Sequence, residues 1–536
     1  HRLQMANDAQ THSLPGDREG FERLAALTGS EVDDLRHRLT ECFDRVAKLT
    51  EDFFTPHGPE RPMRPDDRAA MAKWRGYPAL RSPRSVEIFE RLAPSLFERV
   101  ADTTDRERTL RHLEDFIGGL PAGVQIFSLF EANPQLIDLV VDIADSSPDL
   151  ARYLGSNAEV FDAVIAGRFF TPWPGESELF DDLSARLADA GDYEGQLDAA
   201  RRWQKEWHFR VGVHMLRGLI DAAEAGRSYA DLAQATIRGL WPCVVSAFAE
   251  SHGDPPGRGA AVIGMGSLSA GMLTAASDLD LIVIYDAEGS DSSTGRRPLA
   301  PRPYYARLTQ ALVTALTAPT AAGRLYQVDM RLRPSGRQGP VATSLASFRT
   351  YQNEEAWTWE HLALTRARII AGDTSLGDEV GAFLDDLLTP ARPPDKILRD
   401  TADMRRRLTE AHQDIGPLEA KRGPGRTLDI ELAASAAALI GDGWPRELPA
   451  QLASGRLFGE EEQEALASTH AFLWSVQATA RLLTGGALSE VAAETPLFRR
   501  ITGAENAGAL AEMMRAHADE AARIIDRVFP TTAGED

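Results

Sequence analysis

The chain has only two cysteines, Cys42 and Cys243, far apart in its 536 residues. Neither a disulfide framework nor a cysteine-held zinc ion is expected from so few. Two free thiols in a reducing cytoplasm are the simplest reading. Runs of about 18 apolar residues are also missing, so no membrane span is expected. The longest apolar stretches, such as Leu281–Tyr285 and Ala436–Ile440, are short. There is no signal-peptide pattern at the start. Basic charge is in deficit: 58 Lys and Arg stand against 80 Asp and Glu, a net charge of -22. A general nucleic-acid binder needs a basic face, so a protein partner is expected instead. A local basic patch could still hold a nucleotide. The chain opens on His1 rather than Met, and a fragment of a longer protein is expected.

What is present is a globular composition with helical patterning. The hydrophobic fraction is 43%, enough to bury sizeable cores. This length suggests about three or four domains. Residues Val86–Val100, Thr109–Ile117, Gln135–Ile143 and Glu159–Ile165 place apolar side chains three and four apart, the mark of amphipathic helices. Pro94 is expected to kink or split the first. Up to about residue 250 the chain reads as a stack of short helices. Strand patterns then follow at Ala260–Gly264, Asp280–Tyr285 and Gly323–Arg333, with a helix at Tyr304–Leu316 between the last two. Helical patterning returns after about residue 385. The expected class is α+β, with a small mixed sheet inside a mainly helical chain. The expected divisions are 1–60, 75–250, 251–385 and 386–536. A weak repeat relates Leu27-Thr28-Gly29, followed by a helix to Phe54, with Ile501-Thr502-Gly503, followed by a helix to Phe529.

The chemistry concentrates between residues 264 and 334. Gly264-Met265-Gly266-Ser267 reads as a strand ending in a tight turn, and Ser277-Asp278-Leu279-Asp280-Leu281 as the start of an acidic strand. Gly266 lets the backbone turn sharply and approach a phosphate. Ser267 offers a hydroxyl, and the helix start behind it offers N–H groups to an anion. Asp278 and Asp280, two apart, fall on one face of a strand. Two carboxylates pointing together repel unless a cation lies between them, and Mg2+ prefers such hard oxygen ligands. An isolated Asp-x-Asp is weak evidence, but the glycine-serine turn ahead of it matches the nucleotidyltransferase pattern of the polymerase-beta superfamily. Asp329 fits the third carboxylate of that pattern, on a neighbouring strand. Its plain alternative is a partner for Arg331 or Arg333. The three carboxylates imply two-metal phosphoryl chemistry on a nucleoside triphosphate, with Asp329 nearest the attacking oxygen. Arg331, Arg333, Arg337, Arg366 and Arg368 are candidates to neutralise the triphosphate, each with a surface ion pair as its alternative.

Longer stretches resemble a known family. They are Tyr326 to Gly336, Gly339 to Ser344, Tyr351-Gln352, Glu354 to His361, Arg366-Ala367-Arg368, and Lys421 to Gly425 with Asp429-Ile430-Glu431. Together they are similar to the C-terminal, adenylylating unit of bacterial glutamine synthetase adenylyltransferases. His1 to Gln4 and Gln10 to Pro15 resemble the end of the preceding, deadenylylating unit. The resemblance implies transfer of AMP to a tyrosine of glutamine synthetase. It also implies Mg2+ and ATP, regulation by PII protein and glutamine, and a cytoplasmic location. A regulatory module without catalysis and a PII uridylyltransferase are the alternatives. One stretch departs from the family. Gly266 to Met272 lacks the lysine, glycine pair, basic residue and glutamate usual there, and weaker triphosphate binding is expected. Asp429 and Glu431 open a helix, where favourable interaction with the helix N-terminus is their plain reading.

Overall fold

The computed structural model describes residues 18–40, 64–157, 160–165, 167–412, 415–441 and 443–530. Cys42, the segments around His1 and Gln10, and the helix end at Phe54 lie outside them. The chain divides into two compact units, 1–63 and 64–536. In the first, a helix over Arg18–Thr28 ends at Gly29, whose φ of +65° favours glycine, and a second helical stretch covers 32–40. Leu24, Ala25 and Leu35 pack together there. The related sequence in the second unit does the same. Its helix Pro496–Thr502 stops at Gly503, φ +73°, and the threonine hydroxyl before each glycine bonds back to the carbonyl four residues earlier.

The second unit begins with helices. α1, Pro83–Ala101, runs unbroken through Pro94. The cost of that proline is outweighed by a buried stripe that includes Ile88, Leu92, Leu96, Phe97 and Val100. The region is not built only of short helices. α2, Tyr193–Arg217, has 25 residues, and α3, Ala222–His252, has 31 and contains Pro242. Arg201 in α2 is fully buried and donates to the carbonyls of Ala315 and Ala318, tying α2 to the region of the sheet.

The sheet has five strands. β1 is Gly259–Gly264, β2 Leu279–Asp286, β3 Val328–Asp329, β4 Ala342–Ser344 and β5 Arg368–Gly372. Their order is β3-β2-β1-β5, with β4 also pairing β2. β1 lies antiparallel to β2 and β5, whereas β3 and β4 run parallel to β2. The mixed α+β class is therefore as expected. The third strand is much shorter than the Gly323–Arg333 pattern suggested, because the chain turns at once after Asp329. β4 and β5 were not anticipated. β4 has only three residues, and β5 follows a helix directly. The helix between β2 and β3 is α4, Pro301–Thr317.

One face of the sheet meets the C-terminal helices. Ala261, Ile263, Ile282 and Ile284 share a core with Phe348, Leu364, Ile430, Ile524 and Phe529. α5, Pro394–Ala411, α6, Thr427–Ile440, and α7, Ala507–Val528, are joined by a buried ionic hub. Arg405 of α5 donates to Asp429 of α6 at 2.6 and 2.9 Å and pairs with Asp526 of α7 at 3.0 Å. It also bonds the carbonyl of Phe529. Removing one side of a buried pair strands the other charge. Arg405→Ala is therefore expected to lower the unfolding free energy by about 3–5 kcal/mol, as read by urea titration.

Candidate functional site

The acidic site is built where three strand ends meet. The parallel register sets Asp280 opposite Asp329 and Leu279 opposite Val328. Leu279 and Leu281 are buried on the other face, which leaves Asp280 half-buried on the face of Ile282 and Ile284. Met265 N–H donates to the Asp280 carbonyl and Leu279 N–H to that of Gln327, each at 2.9 Å, so β1 and β3 grip β2 at its start. After Met265 the chain turns through Gly266, φ +55°, into a single helical turn, Gly266–Ser269. A Cβ on Gly266 would lie 2.6 Å from Oδ2 of Asp280. The glycine thus answers both the backbone angle and the approach of the carboxylate. Ser267 is half-buried and has no side-chain partner among the described residues.

Asp278 lies just outside the strand and is exposed, so it does not share a regular strand face with Asp280 as its spacing suggested. Its turn is held by Thr274 N–H and the Thr274 hydroxyl, which bond Ser277 Oγ at 2.9 and 2.8 Å. Asp329 is engaged by its near neighbour. Its Oδ1 accepts from Arg331 N–H at 2.8 Å and its Oδ2 from Arg331 Nε at 2.6 Å. With Asp329 turned to Arg331, no group of three acidic, histidine or cysteine side chains among the described residues converges tightly enough to hold a metal ion. The carboxylates still feel one another. Burial first, then the charges of Asp329 and Asp278, push Asp280 up to about 6, against the pull of Lys421 and Arg331.

Lys421 stood in the sequence only as part of the family-like stretch Lys421 to Gly425, with no role at the acidic site. It stands 141 residues from Asp280, in a glycine-rich loop, and only the packing of the C-terminal helices brings its charge to the acidic strand. Glu419 accepts from the N–H groups of Lys421 and Arg422 and shapes that loop.

The other arginines divide. Arg333 donates to the carbonyls of Met330 and Gly339 at 2.7 and 3.2 Å and braces its own turn. The side chain of Arg337 lies outside the described residues. Arg366 pairs with Glu431 at 3.0 Å. Burial would raise the Glu431 carboxyl, but Arg366 and His470 outweigh it and hold the group down to about 2. Arg368 is paired with Gly264, on the face opposite Asp280. Both arginines line a separate cavity of about 440 Å³. Asp429 and Glu431 diverge, one toward Arg405 and one toward Arg366, because residues two apart on a helix do not share a face. Asp429 also accepts from Gly425 N–H at 2.8 Å, so it ties the loop ahead of the helix as well as Arg405. In the tryptophan phrase, Glu360 accepts from Trp357 N–H and the Tyr351 hydroxyl, each at 2.9 Å, and so braces a helix start.

An acidic pair in register beside a glycine turn suits a phosphate-bearing substrate. Residues 137–382 match the family model described as glutamate-ammonia ligase adenylyltransferase, and residues 1–54 that of the GlnD PII-uridylyltransferase. Three similar proteins carry the name bifunctional glutamine synthetase adenylyltransferase/adenylyl-removing enzyme. That of Mesorhizobium japonicum is 36% identical over 522 residues, 90% of this chain and 53% of its own length. That of Brucella suis is 36% identical, over 82% of this chain and 48% of its own. That of Xanthobacter autotrophicus is 38% identical, over 81% and 47%. The chain spans about half the length of the curated relatives it matches. Among the described residues no helix is long and apolar enough to cross a membrane.

The raised Asp280 makes a prediction. Its folded form binds a proton more tightly than its unfolded form. The favourable contribution of that proton is complete below about pH 4 and is lost as pH rises through about 6. Without divalent cations, Asp280→Asn is therefore expected to be more stable than wild type at pH 7 by about 1–2 kcal/mol, after allowance for solvent screening. The difference should vanish near pH 4 in paired thermal melts.

Proposed function

We propose that this chain transfers the AMP part of ATP to a tyrosine hydroxyl of glutamine synthetase, on a nucleotidyltransferase core of polymerase-beta type. The observation that carries this reading is Asp280 and Asp329 in register on adjacent strands, with Gly266 against Asp280, inside residues that match an adenylyltransferase family. A half-buried carboxylate pushed up by its acidic neighbours and a donor set of hard oxygens both fit a divalent cation. Asp278, Asp280 and Asp329 would hold Mg2+, which when bound supplies the positive charge that lets carboxylates and phosphates share one site. Gly266 leaves room for a phosphate to approach the backbone, and Ser267 offers its hydroxyl. Arg331 and Lys421 are the cations whose charge already acts on Asp280, and they draw the triphosphate to it. Asp329 takes the proton of the attacking hydroxyl. PII protein and glutamine are the proposed regulators, and the cytoplasm the proposed location.

A second reading, a module that binds without transferring, is favoured by the Asp329–Arg331 pair and by the missing basic residues of Ser267 to Met272. A PII uridylyltransferase draws support from the match over residues 1–54, which lies outside the acidic site. One assay separates the three. With Mg2+, α-labelled ATP and glutamine synthetase, wild type is expected to label the synthetase, and Asp280→Ala to lose about a hundredfold or more of that rate. ATP binding without label supports the second reading. Label from UTP on PII protein supports the third. Equal labelling by Asp280→Ala removes the proposed site.

A further inference from the structure

Arg366 and Arg368 turn away from the carboxylates, into the cavity of about 440 Å³ behind the glycine turn. Its walls are α3, the Ala270–Met272 segment, the start of β5, the loop at Arg446 and the helix Glu460–Thr484. A volume of this size suits a small organic ligand. Four arginines line it, and besides Arg366 they are Arg368 and the exposed Arg227 and Arg446, three further guanidinium groups. Among the described residues none of the three makes an ion pair or a hydrogen bond. Arg446 instead lies over the Trp444 ring, 4.7 Å from its centre. Arg366 is already matched by Glu431, which His470 also meets at 3.2 Å. The remaining acids are Asp231 and Glu447. Asp231 accepts from Trp173 Nε1 at 3.0 Å; burial pushes its carboxyl up and the charges of Arg368 and Arg227 pull it down, so four arginines face the three carboxylates Glu431, Asp231 and Glu447. The positive side is therefore left in excess.

Two buried polar atoms at the cavity add to this. Among the described residues Arg368 Nε, a donor, and Gln451 Oε1, an acceptor, have no hydrogen-bond partner. Gln451 is almost wholly buried, and its other end is fixed by donation to the Pro445 carbonyl at 3.1 Å. An orphaned buried group of this kind costs stability unless a partner arrives. Trp474 and Met272 add apolar wall.

We infer that this cavity is a binding site for a small oxyanion, phosphate or carboxylate, distinct from the acidic site on the opposite face of the sheet. Arg227, Arg368 and Arg446 take its charge, since guanidinium groups match both oxyanions in geometry. Inorganic phosphate and succinate distinguish the two anion chemistries.

The test is calorimetric titration of each probe into the full chain, without ATP or divalent cations. At least one is expected to bind saturably. The Arg227→Gln/Arg446→Gln double variant should weaken that binding about tenfold or more. Ala471→Glu, which puts a carboxylate into the cavity from an exposed helix position, should abolish it with all arginines intact. Circular dichroism and melting without ligand check that the variants are folded. No saturable binding of either probe would overturn the inference. So would wild-type affinity in both cavity variants.

Discussion

Asp280 and Asp329 face each other across the first rung of a parallel strand pair, and like charges opposed on neighbouring strands repel. The centre of the molecule is arranged around that repulsion. Arg331 turns back on Asp329 with two hydrogen bonds, and the loop of Lys421 brings a second cation within electrostatic reach of Asp280. Backbone bonds from Met265 and to Gln327 hold β2 in place, so the carboxylates cannot separate by slipping along the strand. Gly266 leaves Asp280 its place, since a Cβ there would stand 2.6 Å from Oδ2 and force the carboxylate to shift. The repulsion is thus contained rather than removed, and Asp280 remains a weaker acid than an exposed aspartate.

The helices around the sheet are tied by ionic contacts that do not belong to this acidic group. Arg405 gathers α5, α6 and α7. Arg366, Glu431 and His470 bind the approach to β5 to α6 and to the helix Glu460–Thr484. Because Asp429 and Glu431 lie two apart at the start of one helix, that helix joins both networks. The loop carrying Lys421 leads directly into it: Leu428 N–H donates to the Lys421 carbonyl at 3.1 Å. The position of that cation relative to Asp280 therefore depends on the anchoring of the helix by Arg405 and Arg366.

Much of the fold was legible along the chain. Amphipathic spacing marked α1 and its neighbours, and β-branched runs marked β1 and β2. The breaks in this reading have physical causes. Pro94 did not end α1, since its buried stripe continued past the proline. The run from Gly323 to Arg333 became a two-residue strand, because Arg331 and Arg333 bond backward to Asp329 and Met330 and turn the chain. β4 was too short to show a period.

The sequence by itself determined the acidic residues, the glycine turn ahead of them and the family resemblance of residues 137–382, because each is a local pattern of residue types at fixed spacing. Only the tertiary structure decided how the charges are shared. It set Asp329 opposite Asp280, left Asp278 off the strand and brought Lys421 from far along the chain. It also turned Arg366 and Arg368 toward a separate cavity. Which charges meet depends on strand register and helix packing, and those are fixed by contacts between residues that spacing along the chain does not relate.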